Sequence, residues 1–582
     1  MSALSSETRS PRQTKAHVRA SKTEAPAQSG LRALTEWLVL LALAVTLFRC
    51  FGVESYMIST GSMAPCLLGF HLRLTCPSCG LTFAHGASGP NELAAGSPRE
   101  GTLSAQAIGK TGNSPEKVPC PNCSRLCSVG TSAVAIEGDQ LLVHKGAYAW
   151  RELAGKGGPR RWEIVVFRKP DDEHPAYVKR VVGLPSENVE LRDGDVYANG
   201  QLQRKPLTAQ LSTRVLVASS EFPAVDDDPD WETRWSFNTA QSAWRVSGST
   251  FEHVPHTGGA VAAPEAAASP SPWDWITYRH WVRSGGATST SVSLDHWPDD
   301  LQPPDPLLSP LEYDSTRQRL RCLGALPHVQ WKRWDAATAD AEFRSALWDL
   351  YRESHVVPLT DASPYNRTGV SAPNPVHDLL LELTVEWRGG DGGFAVEMTD
   401  GAREFRTELD FGRREVQVLV DGDDVLFTGP LSVTRGTPIE LLMSTFDQQL
   451  LLAQDGELVC DPIPYERTGD PPAPLRRPVR FGARDAAVAV TSASLYRDVY
   501  YTPAPEHSAQ VFNLKADEYF VLGDNSGVSI DGRHWEQPGV PESDLIGKAL
   551  FVHLPSRPLR LEWGGEVRQI RVPDFKRMRY IQ

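Results

Sequence analysis

Along most of the chain, apolar positions alternate with polar ones more often than they recur at helical spacing. VAIEGDQLLVHK (134–145), RRWEIVVFRKP (160–170), AYVKRVVGLP (176–185) and NVELRDGDVYANGQ (188–201) are short runs bounded by Gly, Pro and Asp, and they predict strands. The last carries two hairpin signals, Asp193-Gly194 and Asn199-Gly200, as a meander would. The same rhythm returns after 377 in DLLLELTVEWRG, GGFAVEMTDG, EFRTELDFG, REVQVLVDGDDVLFTG and PIELLMSTFDQQLLLAQDGELV. Short strands at near-regular spacing, broken by Asp-Gly and Gly-Gly, predict a sandwich or jelly roll. One helix stands out over 335–355, with Asp335 as its cap.

The stretch LRALTEWLVLLALAVTLFRCFGVES (31–55) has neither rhythm. Its uncharged core, 37–48, is short for a membrane span, which needs about 20 residues. Extending it to 31–53 reaches that length but admits Arg32, Glu36 and Arg49, which lie near the ends where long side chains snorkel. The thirty residues before it are polar and carry Arg9, Arg12, Lys15, Arg19 and Lys22, the composition of a disordered tail. A cleaved secretory signal fits less well, because its charged region would be long and no small-residue site follows the run. Lipid attachment at Cys50 fits poorly too, since Arg49 stands where a small residue is expected. The reading is an uncleaved single-pass anchor over 31–53, with tail 1–30 in the cytoplasm and everything from 54 outside it.

A chain of 582 residues predicts two to four domains. Its net charge of −13 excludes a nucleic-acid binder at the level of the whole chain. The final patterned segment, 518–555, matches the early strands better than the sandwich it follows. The economical topology is therefore one β domain, 54–75 with 128–205 and 506–560, interrupted by insertions. These are a cysteine-bearing segment (76–127) and a large segment whose first part is irregular (206–375) and whose second is the sandwich (376–505). Residues 561–582 remain as a C-terminal tail.

Four fragments bear on chemistry: TGSMAP (60–65), GDQLLVHK (138–145), YVKRVVGLP (177–185) and GDNSGVSIDGR (523–533). A serine hydroxyl is a poor nucleophile until a base takes its proton. No Gly-x-Ser-x-Gly hydrolase motif with histidine and aspartate partners is evident. A lysine serves as the base if burial lowers its pKa toward the working pH. On a strand, Lys179 shares a face with Tyr177 and Val181 while Arg180 points the other way. An ammonium on an apolar face is costly, and losing its proton relieves the cost. Lys145 and Lys169 lie on neighbouring strands as rivals.

Taken together and in this order, the fragments resemble the type I signal peptidase family of Ser/Lys serine proteases, over 56–68, 138–204 and 517–554. The resemblance implies Ser62 as nucleophile and Lys179 as general base. Thr60 would help the Ser62 N–H hold the oxyanion, and Ser529 would orient the lysine. Asp531 with Arg533, and Arg180 with Asp524, would be structural ion pairs. The closing fragment departs from the family pattern: Ser526 and Gly527 stand where Arg and Asp are common, and Gly532 replaces a serine.

Cys76-x-x-Cys79 and Cys120-x-x-Cys123 have the build of a zinc ribbon, four thiolates around one metal. The gap between them is long, Cys127 is a fifth candidate, and disulfides are the competing use outside the cytoplasm. A C-x-x-C pair suits a metal knuckle better than a crosslink between distant loops. The zinc would be structural, and no cofactor is implied for catalysis. Cys50, Cys66, Cys322 and Cys460 follow no pattern and read as buried thiols. The large sandwich resembles concanavalin-like jelly rolls in strand rhythm alone. Asp421, Asp423 and Asp424 read as a hairpin turn ahead of a calcium site.

The implied fold is mainly β: a signal-peptidase-like core with a zinc-ribbon-like insert and a jelly-roll insert, preceded by one transmembrane helix. The implied activity is removal of signal peptides from exported preproteins at the extracytoplasmic face of the cytoplasmic (inner) membrane. The implied partners are those preproteins, the lipid bilayer and the secretion machinery. The rival reading is a catalytically inactive relative acting as a membrane-tethered glycan- or protein-binding module.

Overall fold

The computed structural model describes residues 28–47, 52–87, 116–129, 134–153, 155, 157–169, 176–224, 232–237, 242–255, 272–283, 285–305, 309–366, 373–422, 424–467, 472–503, 510–563 and 566–581. Tail 1–27, Cys50 and Asp423 lie outside them. Two units result, 1–54 and 55–582.

In the first unit Gln28–Leu47 is helical. Leu34, Trp37, Leu38, Val39, Leu40, Leu41 and Leu43 are exposed on it. Arg32 and Glu36 pair one turn apart at 2.9 Å and occupy its first half. Among the described residues, no helix is long and apolar enough to cross a membrane. The expected span over 31–53, part of which lies outside the described residues, is not found among them. Among the described residues the uncharged part of this helix covers 37–47, short of the about 20 residues a span requires.

The second unit is mainly β. Six strands form the sheet around Lys179: β1 (Gln140–His144), β2 (Ile164–Phe167), β3 (Tyr177–Gly183), β4 (Glu518–Leu522), β5 (Gly539–Pro541) and β6 (Leu545–Val552). They are neighbours in one antiparallel sheet in the order β1-β6-β2-β3-β4-β5. Early and late segments thus interleave, and β2, β3 and β4 bury both faces over most of their length. Ile164, Val166, Val182 and Leu522 pack on one side, and Val165, Val181 and Val521 on the other. The meander pairs Asn188–Arg192 with Asp195–Ala198, with Asp193 and Gly194 in left-handed conformation at the turn.

Two further sheets enclose one large apolar core. Leu381, Leu383, Val385 and Val490 come from one, and Phe394, Val396, Phe405 and Phe481 from the other. The segment 206–375 is less irregular than its composition suggests, since Val215–Ser219, Trp244–Ser247, Thr250–His253 and Asp274–Tyr278 all join these two sheets. Lys205 fastens the meander to the sandwich: its buried ammonium donates to Asp447 and Asp498, each at 2.7 Å. Residues 561–582 are not a free tail. Ser556–Trp563 and Glu566–Pro573 form a hairpin, and Arg579–Tyr580 pairs with β6.

The expected helix over 335–355 is two helices, His328–Asp335 and Ala341–Ser354. Asp335 ends the first and pairs with Arg344, while Asp340 caps the second by accepting from Phe343 N at 2.8 Å. Asp340→Ala is expected to lower unfolding free energy by about 1 kcal/mol, read by urea denaturation. Asp335→Ala should cost less, since exposed ion pairs contribute little.

Candidate active site

Gly61–Met63 forms a single 3₁₀ turn, and Ser62 sits half-buried within it. The Ser62 hydroxyl lies 3.3 Å from that of Thr60. The turn is held from across the molecule: Asn525 N donates to Ser62 O and Asn525 Nδ2 to Gly61 O, both at 3.0 Å. Gly523 must be glycine here. A Cβ on it would lie 2.4 Å from Ser62 O and 2.2 Å from Ser529 Oγ, so these two atoms flank one point that no side chain can occupy.

β3 packs directly against the Gly61–Met63 turn, with Cα atoms within 8 Å. Its register pairs Lys179 with Val165 on β2 and Val181 with Val521 on β4, so Lys179 emerges on an apolar face. It is 2% exposed and makes no ion pair among the described residues. Its ammonium donates to Ser529 Oγ at 2.9 Å rather than to Ser62. Burial is the main reason its pKa falls from 10.5 to about 8; Arg533 pushes the same way, against Asp531 and Asp524.

Arg180 faces the opposite side, where Leu522 is its cross-strand neighbour, and reaches Asp524 two residues further on. The pair is bidentate, 2.8 and 2.7 Å, with both side chains fully buried. Burial works against the guanidinium charge, and the Asp524 carboxylate outweighs it and raises the Arg180 pKa. Arg180 also donates to Trp162 O and Ser212 Oγ. Arg533 forms a second bidentate pair with Asp531, at 2.8 and 2.7 Å, and Asp531 accepts from Gly523 N. Burial alone would raise the Asp531 carboxyl, but the Arg533 bonds and charge bring it below the usual range. Ser526, at one of the positions where the closing fragment departs from pattern, anchors this loop. Its hydroxyl accepts from Arg533 at 2.7 Å and from Thr502 N at 2.9 Å. Gly532 leaves room for Phe520, whose ring a Cβ there would approach to 2.7 Å.

Lys145 is half-buried, and Lys169 lies 5.2 Å over the Trp535 ring. Neither sits where Lys179 does. Asn525, in the closing fragment, is a site residue that no sequence pattern marks. Its partner Asn366 carries no sequence signal, as it lies in an unpatterned part of the large insertion.

The family model described as "Signal peptidase, peptidase S26" matches residues 128–248 and 476–554. Its two blocks take in Lys179 and the closing loop, skip 249–475, and do not include the Ser62 turn. Signal peptidase I V of Bacillus subtilis is 34% identical over 77 residues, 13% of this chain and 41% of that protein. Signal peptidase I of Pseudomonas aeruginosa is 36% identical over 80 residues, 12% of this chain and 28% of that protein. Over these stretches the chain is similar to the type I signal peptidase family. It spans less than half the length of these two relatives. Among solved structures, carbohydrate-binding module CBM66 from Bacillus subtilis aligns at 13% identity and a TM-score of 0.16, covering 20% of this chain and 74% of that one.

Away from the dyad candidates, Cys76, Cys79, Cys120 and Cys123 are buried, with all four Sγ atoms within 4.8 Å of one another. Two identical knuckles bring them together. Cys76 N bonds Leu81 O and Gly80 N returns to Cys76 O, just as Cys120 N bonds Arg125 O and Ser124 N returns to Cys120 O. The closest sulfurs, 3.5 Å for Cys76–Cys123 and 3.6 Å for Cys79–Cys120, are far beyond the about 2.05 Å of a disulfide. They approach the roughly 3.8 Å edge of a tetrahedron with bonds of about 2.3 Å, so the donor set fits zinc. Cys127 is buried beside them but bonds Arg125 O instead.

Proposed function

We propose that this chain is a Ser/Lys endopeptidase that removes signal peptides from exported preproteins. The observation that carries the reading is Lys179: a buried amine with no direct ion pair among the described residues, lowered to about 8, on the strand that packs against the Ser62 turn. A neutral Lys179 still donates one N–H to Ser529, which leaves its lone pair free for the Ser62 proton. Apo catalytic hydrogen bonds often tighten only with substrate present.

Ser62 Oγ attacks the scissile carbonyl as its proton passes to Lys179 Nζ. The resulting oxyanion is held by Ser62 N–H and the Thr60 hydroxyl. The C–N bond then breaks, Lys179 hands the proton to the departing amine, and an ester on Ser62 remains. Lys179, neutral again, takes a proton from water as that water attacks the ester and returns it to Ser62 Oγ as the acyl C–O bond breaks, so the signal peptide leaves as a carboxylic acid and the dyad is restored. The substrate would lie as an extended strand at the sheet. The exposed apolar surface of the Gln28–Leu47 helix would attach the chain to the bilayer that holds the substrate's own apolar segment, raising effective concentration. The main sequence argument for an inactive binding module, the altered closing loop, weakens because Ser526 and Gly532 each fit a packed and bonded position.

The test is cleavage of a preprotein by the purified chain. Ser62→Ala is expected to lose cleavage by at least about a thousandfold while still folding. Undiminished cleavage by that variant overturns the reading.

We also infer that Cys76, Cys79, Cys120 and Cys123 hold one structural zinc. Metal analysis should find about one zinc per chain, and chelation or Cys79→Ser should lower the melting temperature. A chain free of metal with unchanged melting contradicts the inference.

A further inference from the structure

Among the described residues, the large insertion reaches the nucleophile turn through a strap, 359–366. Leu359 and Asp361 tie its base to Leu475 O and Asn374 O. Further along, Pro364 O bonds His85 Nδ1 at 2.7 Å and Tyr365 O accepts from Gly86 N at 2.8 Å. The buried Tyr365 ring covers Gly61 so closely that a Cβ there would fall 2.2 Å from Tyr365 Cε1. The glycine beside Ser62 is thus required by a residue some three hundred positions away.

Next to Tyr365, Asn366 and Asn525 exchange amide hydrogen bonds. Asn366 Nδ2 donates to Asn525 Oδ1 at 2.8 Å, and Asn525 Nδ2 donates to Asn366 Oδ1 at 2.7 Å. The other Asn525 Nδ2 proton goes to Gly61 O, and its backbone N–H to Ser62 O. The Asn525 amide therefore has one orientation that satisfies it, and Asn366 selects that orientation from both ends. Without Asn366, the amide is free to turn and its hold on Gly61 O loosens.

We propose that Asn366 is a positioning residue for Ser62, so that the insertion is part of the catalytic apparatus rather than a passenger. This rests on Ser62 being the nucleophile. A positioning role affects how often Ser62 Oγ stands in attacking geometry, and therefore kcat, while leaving the strand-like binding of substrate intact. Asn366 also borders a cavity of about 720 Å³ that Asn525 lines as well, so truncating it opens no closed void.

The experiment compares Asn366→Ala and Asn366→Asp with wild type, with melting recorded for each. Asn366→Ala is expected to lower kcat about tenfold with KM for the preprotein unchanged and the pH dependence set by Lys179 unmoved. Asn366→Asp keeps the shape and still accepts from Asn525 Nδ2 but no longer donates, so it should fall between. It carries the comparison if the alanine variant melts early. A kcat within twofold of wild type for both variants, or a loss confined to KM, overturns the proposal. Amide exchange at Asn525, whose N–H bonds Ser62 O, gives a readout independent of turnover. It should speed up about tenfold in Asn366→Ala, and unchanged exchange overturns the proposal even if wild type cleaves nothing. Wild-type inactivity combined with faster exchange would sink the peptidase reading alone.

Discussion

Lys179→Met is expected to reduce preprotein cleavage by at least about a thousandfold and yet leave the chain as stable as wild type at pH 7, or more so. The two halves have one cause. An amine held at about 8 in the folded chain and at 10.5 when unfolded carries a penalty in its charged form. Below pH 8 both states bind the proton, and the folded chain bears a cost of roughly 3 kcal/mol relative to strongly alkaline solution. Between 8 and 10.5 the unfolded chain binds more protons than the folded one, so this group makes stability rise with pH through that window. Methionine has a similar stem without the charge, which removes the cost along with the base. Cleavage by wild type should follow the neutral amine, rising about tenfold per pH unit below 8 and levelling above it. A rate that is flat from pH 6 to 9, or a Lys179→Met variant that melts well below wild type at pH 7, would show that Lys179 is a structural cation.

Much of this site was readable before any coordinates, because its physics is local. Alternation along 177–183 places Lys179 among valines, and the C-x-x-C spacing places two thiols on each knuckle. The rest depends on contacts that no local pattern encodes. Asp335 and Asp340 are equally good caps by residue type. Only the break between the two helices gives the role to Asp340. The strands between 215 and 278 are short and separated by Pro- and Ala-rich loops, so their pairing partners, 479–484 and 487–497, are what define them. Asn366 is the extreme case: one amide, 159 residues from its partner, in a stretch with no periodicity. The single-pass reading of 31–53 rests on apolar composition: Arg32 and Glu36 shorten the uncharged run, and among the described residues no helix is long and apolar enough to cross a membrane.

Asp524→Leu is expected to lower unfolding free energy by about 3–5 kcal/mol, the largest stability loss of any single change considered. Arg180 and Asp524 are both fully buried, so neither charge can recover its hydration if the other is removed. The stranded guanidinium would keep its bonds to Trp162 O and Ser212 Oγ, but carbonyl and hydroxyl dipoles do not balance a full charge in a low-dielectric interior. Because Asp524 precedes Asn525, which holds the Ser62 turn, cleavage should fall as well. The pair as a whole is a different quantity. Combining Arg180→Met with Asp524→Leu removes both desolvation costs together, and the double variant should regain most of the stability lost by either single change. Urea unfolding of the four chains measures the coupling directly. If the single changes each cost under about 1 kcal/mol and simply add, water reaches the pair, and the closing loop is held by Arg533, Asp531 and Ser526 instead.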